Sequence, residues 1–177
     1  LSRMENEELS LAYSDFDVNE TARRVIISRI NPIDEKQLEV NADFDPDPCF
    51  VHADADQIEQ VIINLLDNAI KFTPPGGTIT ITTRENGSQV LLRVKDNGVG
   101  ILPADAPHIF DRFYKADKAH TVGKGTGLGL AICRRIMEKH GQQIRLVSGE
   151  GGAEFEITLA KGKQPGGAHG DTGAGQD

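Results

Sequence analysis

Three groups of residues in this 177-residue chain have the types and spacing to do chemistry. They are the turn Asp96-Asn97-Gly98-Val99-Gly100, the ladder Gly123-Lys124-Gly125-Thr126-Gly127-Leu128-Gly129-Leu130, and the set Asn64, Asn68 and Lys71. Each glycine costs backbone entropy on folding, so two dense glycine turns imply a backbone that must approach something closely. A phosphate seated on backbone N–H groups at a helix N-terminus is the commonest such partner. Asparagine is a mediocre helix former, and two of them one turn apart inside an apolar-periodic segment call for a reason. A neutral carbonyl oxygen suits Mg²⁺, which completes its octahedron with water and phosphate oxygens. Lys71, about a turn further on, can meet a phosphate as a point charge. Taken alone, the stripe also fits a solvated polar face; the glycine turns shift the reading toward a nucleotide site.

The common phosphate-binding templates do not fit. The Walker-type loop requires Gly-Lys-Ser/Thr, but Lys124 is followed by Gly125. The dinucleotide fingerprint and the eukaryotic-type kinase loop require a glycine at the sixth position. Counting from Gly123 or Gly125, that position is Leu128 or Leu130.

The elements that must hold these residues follow from period and punctuation. Asp17-Val18-Asn19-Glu20 reads as a capping box opening a helix through about Asn31, where Pro32 stops it. Residues 38–44 alternate as a strand, and a short strand follows at 49–51. Asp54 can cap a helix to about Lys71, in which Ile58, Val61, Ile62, Leu65, Ala69 and Phe72 form the core face. Residues 78–84 and 89–95 flank Asn86-Gly87, a hairpin signal. A short helix at 104–110, a polar loop at 114–126, a helix at 127–140 and strands at 143–148 and 153–159 complete the domain. The expectation is α+β: a two-layer α/β sandwich with a mixed, mostly antiparallel sheet of about five strands and three helices on one face.

Four segments in order, Asn64-Leu-Leu-Asp-Asn68-Ala-Ile-Lys71-Phe72, Asp96-Asn-Gly-Val-Gly100-Ile101, Ile109-Phe110-Asp-Arg-Phe113-Tyr114 and the ladder at 123–130, resemble the N, G1, F and G2 boxes of bacterial sensor histidine kinases. The resemblance covers about residues 1–159 and implies the GHKL-type ATPase fold shared with type II topoisomerases and mismatch-repair ATPases. It implies ATP and Mg²⁺ as ligands. Asp96 would accept a hydrogen bond from the adenine amino group, with Gly98 and Gly100 letting the backbone pass close to the base and Ile101 beside it. Asn68 resembles the Mg²⁺ ligand. Asn64 and Lys71 stand in the catalytic positions; an amide at 64 cannot act as the base that activates water, so hydrolysis is held back. Tyr114, Gly125, Thr126, Gly127, Leu128 and Gly129 complete the nucleotide set, the glycines presenting N–H groups to the triphosphate. The polar loop at 114–126 would be a lid that closes over the nucleotide, and Phe110 and Phe113 are expected to pack it. Departures from the family pattern, Gln142-Gln143 and Ala153, lie outside the four boxes.

The family's phosphoacceptor histidine segment is not found in this sequence. The reading is therefore a catalytic domain at 13–160, preceded at 1–12 by the end of a helical dimerisation domain and followed at 161–177 by a disordered tail of Gly, Gln, Asp and Ala. The implied partners are a histidine-containing dimerisation domain of the same protein and a response regulator. The fragment is expected to be monomeric, the whole protein a homodimer anchored in the bacterial inner membrane with this domain cytoplasmic. A net charge of -8 speaks against nucleic acid. Cys49 and Cys133 suggest buried thiols in a reducing compartment. Asp43, Asp45 and Asp47 only imitate a calcium loop, because Pro48 takes its glycine position. An anti-sigma-factor-type serine kinase and a nucleotide-gated interaction module are the competing readings.

Overall fold

One carboxylate organises the first half of the chain. Asp17 accepts the N–H of Asn19 and that of Cys49, both at 3.0 Å. It thereby caps a helix and ties it to a segment 32 residues later. The structure, a computed structural model, describes residues 10–114 and 128–166. The elements are β1 (Tyr13–Asp17), α1 (Val18–Ser28), α2 (Ile30–Glu35), β2 (Glu39–Asp45), β3 (Phe50–Asp54), α3 (Ala55–Phe72), β4 (Thr78–Asn86) and β5 (Gln89–Asp96). A 3-10 turn at Ala106–His108, α4 (Gly129–Lys139), β6 (Ile144–Ser148) and β7 (Glu154–Lys161) follow.

The strands form one sheet in the order β1-β3-β7-β5-β4-β2, with β6 also pairing β7. Among the described strands, only β2 against β4 is parallel. The two-layer α+β architecture is as expected, but the sheet has seven strands rather than about five. The unforeseen strand is β1. Its Tyr-Ser-Asp-Phe-Asp is polar because it is an edge strand, paired among the described residues with β3 alone.

The core lies between the helices and one face of the sheet. Ile58, Val61, Ile62, Leu65, Leu66, Ala69 and Ile70 of α3 are buried. They share a cluster with Ile79 and Ile81 of β4, Val90, Leu92 and Val94 of β5, and Phe155, Ile157 and Leu159 of β7. Each large aliphatic side chain so buried stabilises the fold by about 1.5–3 kcal/mol relative to exposure. α1 contributes Val18 and Val25, and α4 contributes Cys133, Ile136 and Met137. The fully buried Asn19 is satisfied within this layer. Its Nδ2 donates to Pro46 O (2.9 Å) and Asp47 Oδ1 (3.1 Å), and its Oδ1 accepts from the Thr83 hydroxyl at 2.8 Å.

On the other face, Glu156 of β7 lies between Arg93 of β5 (2.6 Å) and Arg145 of β6 (2.8 Å). Burial alone would raise the Glu156 pKa, but the two guanidiniums outweigh it and hold the carboxyl below its usual range.

Several local expectations need correction. Pro32 does not end the first helix: α1 stops at Ser28, and Pro32 sits in the first turn of α2. A first-turn residue needs no N–H donor, so proline is tolerated there. The helix expected at 104–110 shrinks to a 3-10 turn, with Pro107 in its first positions. The hairpin forms with its turn one residue later than expected, at Gly87-Ser88, because Asn86 pairs with Gln89 and Gly87 takes φ +62°.

Asp54 caps α3 as foreseen, its Oδ1 accepting Gln57 N–H at 3.3 Å. Its Oδ2 accepts Ala12 N–H at 3.0 Å, and its own N–H donates to His140 Nε2 at 3.1 Å. His140 therefore carries its proton on Nδ1, directed at Ile136 O at 2.8 Å. Most of the proposed helical stub at 1–12 and most of the tail at 161–177 lie outside the described residues.

Candidate nucleotide site

α3 separates its two jobs by face. While its apolar stripe is buried, Asn64, Asn68 and Lys71 are half-buried on a different side. Asn64 accepts from Gln60 Nε2 at 3.0 Å, and its own Nδ2 reaches Gly129 O at 3.4 Å. That contact spans 65 residues and brings the start of α4 against the asparagine stripe. Asn68 makes no side-chain hydrogen bond to the described residues, so its carbonyl is available as a hard oxygen ligand of the kind Mg²⁺ takes. The Lys71 Nζ lies 5.4 Å from the centroid of the Phe72 ring.

α4 opens at Gly129 behind Leu128, and no side chain among the described residues caps it. Its first-turn N–H groups therefore lack the partner that a Ser or Asp would supply. Among the described residues, no atom lies within 4 Å of where a Gly129 Cβ would stand. Gly125, Thr126 and Gly127 fall outside the described residues.

Asp96 ends β5 and is 4% exposed. Both described hydrogen bonds of its carboxylate go to Oδ1, from Gly98 N–H at 2.9 Å and Ala153 N–H at 3.2 Å. Oδ2 has no donor among the described residues. Burial raises the Asp96 pKa, and the two N–H bonds only partly oppose it.

The glycines around Asp96 have a reason that needs no ligand. A Cβ at Gly98 would lie 2.2 Å from Phe72 O. One at Gly100, where φ is +76°, would lie 2.5 Å from Gly149 O. The close approach is to the protein's own backbone. It packs the turn onto the end of α3, where Val99 N–H donates to Phe72 O at 3.2 Å, and onto the β6–β7 connection.

Sequence reasoning missed that connection. Gly152 has φ +125°, and a Cβ there would stand 2.0 Å from Asp96 O. Ala153, noted only as a departure from the family pattern, supplies a backbone N–H to Asp96 and receives Asp96 N–H at 2.9 Å. The signal was present in the run Gly149, Gly151, Gly152.

Ile101 N–H donates to Gly149 O at 2.9 Å. The residue also lines a separate cavity of about 580 Å³, with Leu102, Pro103, Leu146 and Glu150, away from the asparagine stripe. Tyr114 donates its hydroxyl to the Asp105 carboxylate and lies against His108, ring centroids 5.4 Å apart. Of the two F-box aromatics, Phe110 packs edge-on to Phe155 at 6.0 Å, whereas Phe113 is 64% exposed with φ +62°.

Both cysteines are buried and unpaired. Burial pushes the Cys49 thiol up to about 11 and the Cys133 thiol up to about 12, so neither is a nucleophile at neutral pH. Asp43 pairs with Arg84 at 2.7 Å, and Asp47 pairs with Arg23.

The site thus has a nearly buried carboxylate, Asp96, in the turn packed on the end of α3, and a helix start beside Asn64 that no described side chain caps. Asn64 and Phe72 are separated by about 12 Å along the helix axis. Comparison with known proteins gives three findings. Residues 53–163 match the family described as histidine kinase-, DNA gyrase B-, and HSP90-like ATPase. The sensor protein SrrB of Staphylococcus aureus is 51% identical over 110 residues, which are 61% of this chain and 19% of SrrB, so the match spans under a fifth of that relative. The catalytic domain of the histidine kinase ThkA superposes with a TM-score of 0.77 and 32% identity, over 85% of this chain and 99% of that one. ThkA in complex with the response regulator protein TrrA gives 0.73 and 30%, over 85% of this chain and 42% of that chain.

Proposed function

Because the chain belongs to the histidine kinase-, DNA gyrase B-, and HSP90-like ATPase family, as a catalytic domain of the histidine kinase type, we propose that it binds Mg-ATP and transfers the γ-phosphate to a histidine on a helical dimerisation domain of the same protein. The observation that carries this reading is the Asn64–Gly129 contact at 3.4 Å. It joins the amide stripe of α3 to the start of α4, at the last glycine of the ladder. The available Oδ2 of Asp96 accepts the adenine amino group, which selects adenine over guanine because guanine presents a carbonyl there.

Lys71 and the first-turn N–H groups of α4 hold the phosphates and offset charge as it develops in transfer. Asn68 supplies the protein oxygen for Mg²⁺, which when bound neutralises phosphoryl oxygens. Asn64 orients without acting as a base, since its amide has no useful proton affinity, and the γ-phosphate is kept for the histidine rather than for water.

The phosphoryl group then passes to an aspartate of a response regulator. ThkA, 30% identical, is known in complex with such a protein. The whole protein acts as a homodimer anchored in the bacterial inner membrane, with this domain in the cytoplasm. No helix among the described residues is long and apolar enough to cross a membrane.

The test supplies a histidine-containing dimerisation domain in trans and follows label from γ-labelled ATP. Acid-labile label on that domain's histidine is expected. ATP binding without transfer to a range of such domains would instead favour a nucleotide-gated interaction module, and label on serine an anti-sigma-factor-type kinase.

A further inference from the structure

A helix leaves its last four carbonyls without intrahelical partners, and those of α3 are satisfied in an unusual way. Ala69 O accepts both the N–H of Thr73 at 3.0 Å and its hydroxyl at 2.6 Å. Phe72 O accepts from Val99 N–H at 3.2 Å. The carbonyls of Ile70, Lys71 and Thr73 all accept from one group, the ammonium of Lys36, at 2.6, 3.1 and 3.0 Å.

An ammonium has three N–H donors on one nitrogen, and here three carbonyls converge on it. Its charge sits at the negative end of the helix, where a cation is favoured. Lys36 also closes the corner with its backbone: its carbonyl accepts Gly76 N–H at 2.8 Å, just ahead of the Glu39 N–H to Gly77 O bond at 2.9 Å.

Two of those three carbonyls belong to Lys71 and to the residue before it. We propose that Lys36 is a positioning residue for the nucleotide site: it fixes the final turn of α3 so that the Lys71 side chain is held on the phosphate side. Lys36 touches no nucleotide; it acts through the peptide groups that carry Lys71. This rests on the ATP-binding reading above.

A purely stabilising lysine would lower the melting temperature and leave binding alone, or weaken binding regardless of what stands at 71. A positioning lysine matters only while Lys71 has something to hold. The two are separated by titrating a non-hydrolysable ATP analogue with Mg²⁺ into wild type, Lys36→Met, Lys71→Met and the double variant.

Lys36→Met keeps the aliphatic stem and removes the donors. It is expected to weaken binding about tenfold, the scale of one charge-assisted hydrogen bond, and to have little further effect once Lys71 is Met. An equal loss in both backgrounds, or none in the first, overturns the proposal. Absence of binding by wild type would instead defeat the ATP reading itself.

Melting curves establish that the variants are folded. If Lys36→Met is not, Lys36→Arg carries the same cycle. Its planar fork keeps the charge but cannot converge on three oxygens, so a smaller loss, again dependent on Lys71, is expected. An Arg variant that binds as wild type does overturns the proposal.

Discussion

Asp96→Asn changes one atom from acceptor to donor and leaves the protein's own bonds in place, which makes it a sharp test of the adenine assignment. Oδ1 accepts two N–H groups, at 2.9 and 3.2 Å. An asparagine must keep its oxygen there, because flipping the amide would set Nδ2 against two donors. Nδ2 then replaces Oδ2 and faces the adenine amino group, donor to donor. The lost bond to a charged group is worth about 1.5–3 kcal/mol, or about 10- to 150-fold in Kd.

Stability should move the other way. Burial already holds the Asp96 carboxyl above its usual range, so the fold favours the neutral form, and a neutral amide removes the cost of the buried charge. For an acid whose folded pKa is raised, stability is lost as pH climbs from the unfolded toward the folded value. Asp96→Asn should therefore melt at or slightly above the wild-type temperature at neutral pH.

Calorimetric titration with adenosine and with the non-hydrolysable ATP analogue reads the affinity. In wild type, adenosine binding weakens as pH falls through the raised Asp96 value, and in Asp96→Asn the profile is flat over that window. Preference should also shift toward a guanosine ligand, whose O6 accepts. Unchanged adenosine affinity in a folded variant, or a melting temperature several degrees lower, would refute the reasoning.

The other perturbations are simpler. Asn68→Ala should leave metal-free nucleotide binding nearly intact and remove about tenfold of the Mg²⁺-dependent enhancement. A magnesium titration at fixed nucleotide reads it. Gly98→Ala places a Cβ 2.2 Å from Phe72 O, so the turn must leave α3. Expected are a loss of about 2 kcal/mol in urea unfolding and weaker nucleotide binding in the same variant.

Glu156 lies between two partly solvated arginines, which stay hydrated when it is neutralised. Glu156→Gln should cost about 1–2 kcal/mol, below the range for a wholly buried pair. Because the Glu156 pKa is lowered in the fold, its contribution is complete above the unfolded value and disappears as pH falls through the folded one. Urea midpoints of wild type and variant should therefore converge on acidification, and a gap constant with pH would contradict the ion-pair account.

What could be read from the sequence was whatever a periodicity or a cap encodes locally. The Asp54 cap, the apolar face of α3 and its separate asparagine stripe are properties of one segment, and the structure reproduces them. β1 was invisible because an edge strand with one neighbour needs little apolar surface. Pro32 misled because a proline that ends one helix and one that enters the next look alike without knowing that the break falls at Arg29. Gly98 and Gly100 suggest a ligand when only the sequence is in view, whereas the described atoms nearest a Cβ at either position belong to Phe72 and Gly149. Lys36 carried no signal, since its partners lie 34 to 37 residues away and are backbone carbonyls, which every residue has. Parallel pairing of β2 with β4, with β3 and α3 between them in the chain, likewise has no local signature.

Asp54 joins the chain entering at Ala12 to the first turn of α3, one carboxylate oxygen for each, while its N–H is held by His140 just beyond α4. In mechanical terms it is a rivet through three plates: the incoming segment, the helix with the asparagine stripe and the end of the helix opposite it. The chain at Ala12 is thereby fastened to the same residue that starts α3. That fastening lies within three turns of Asn64 along the helix, so one side chain anchors both the entering backbone and the helix that carries the stripe.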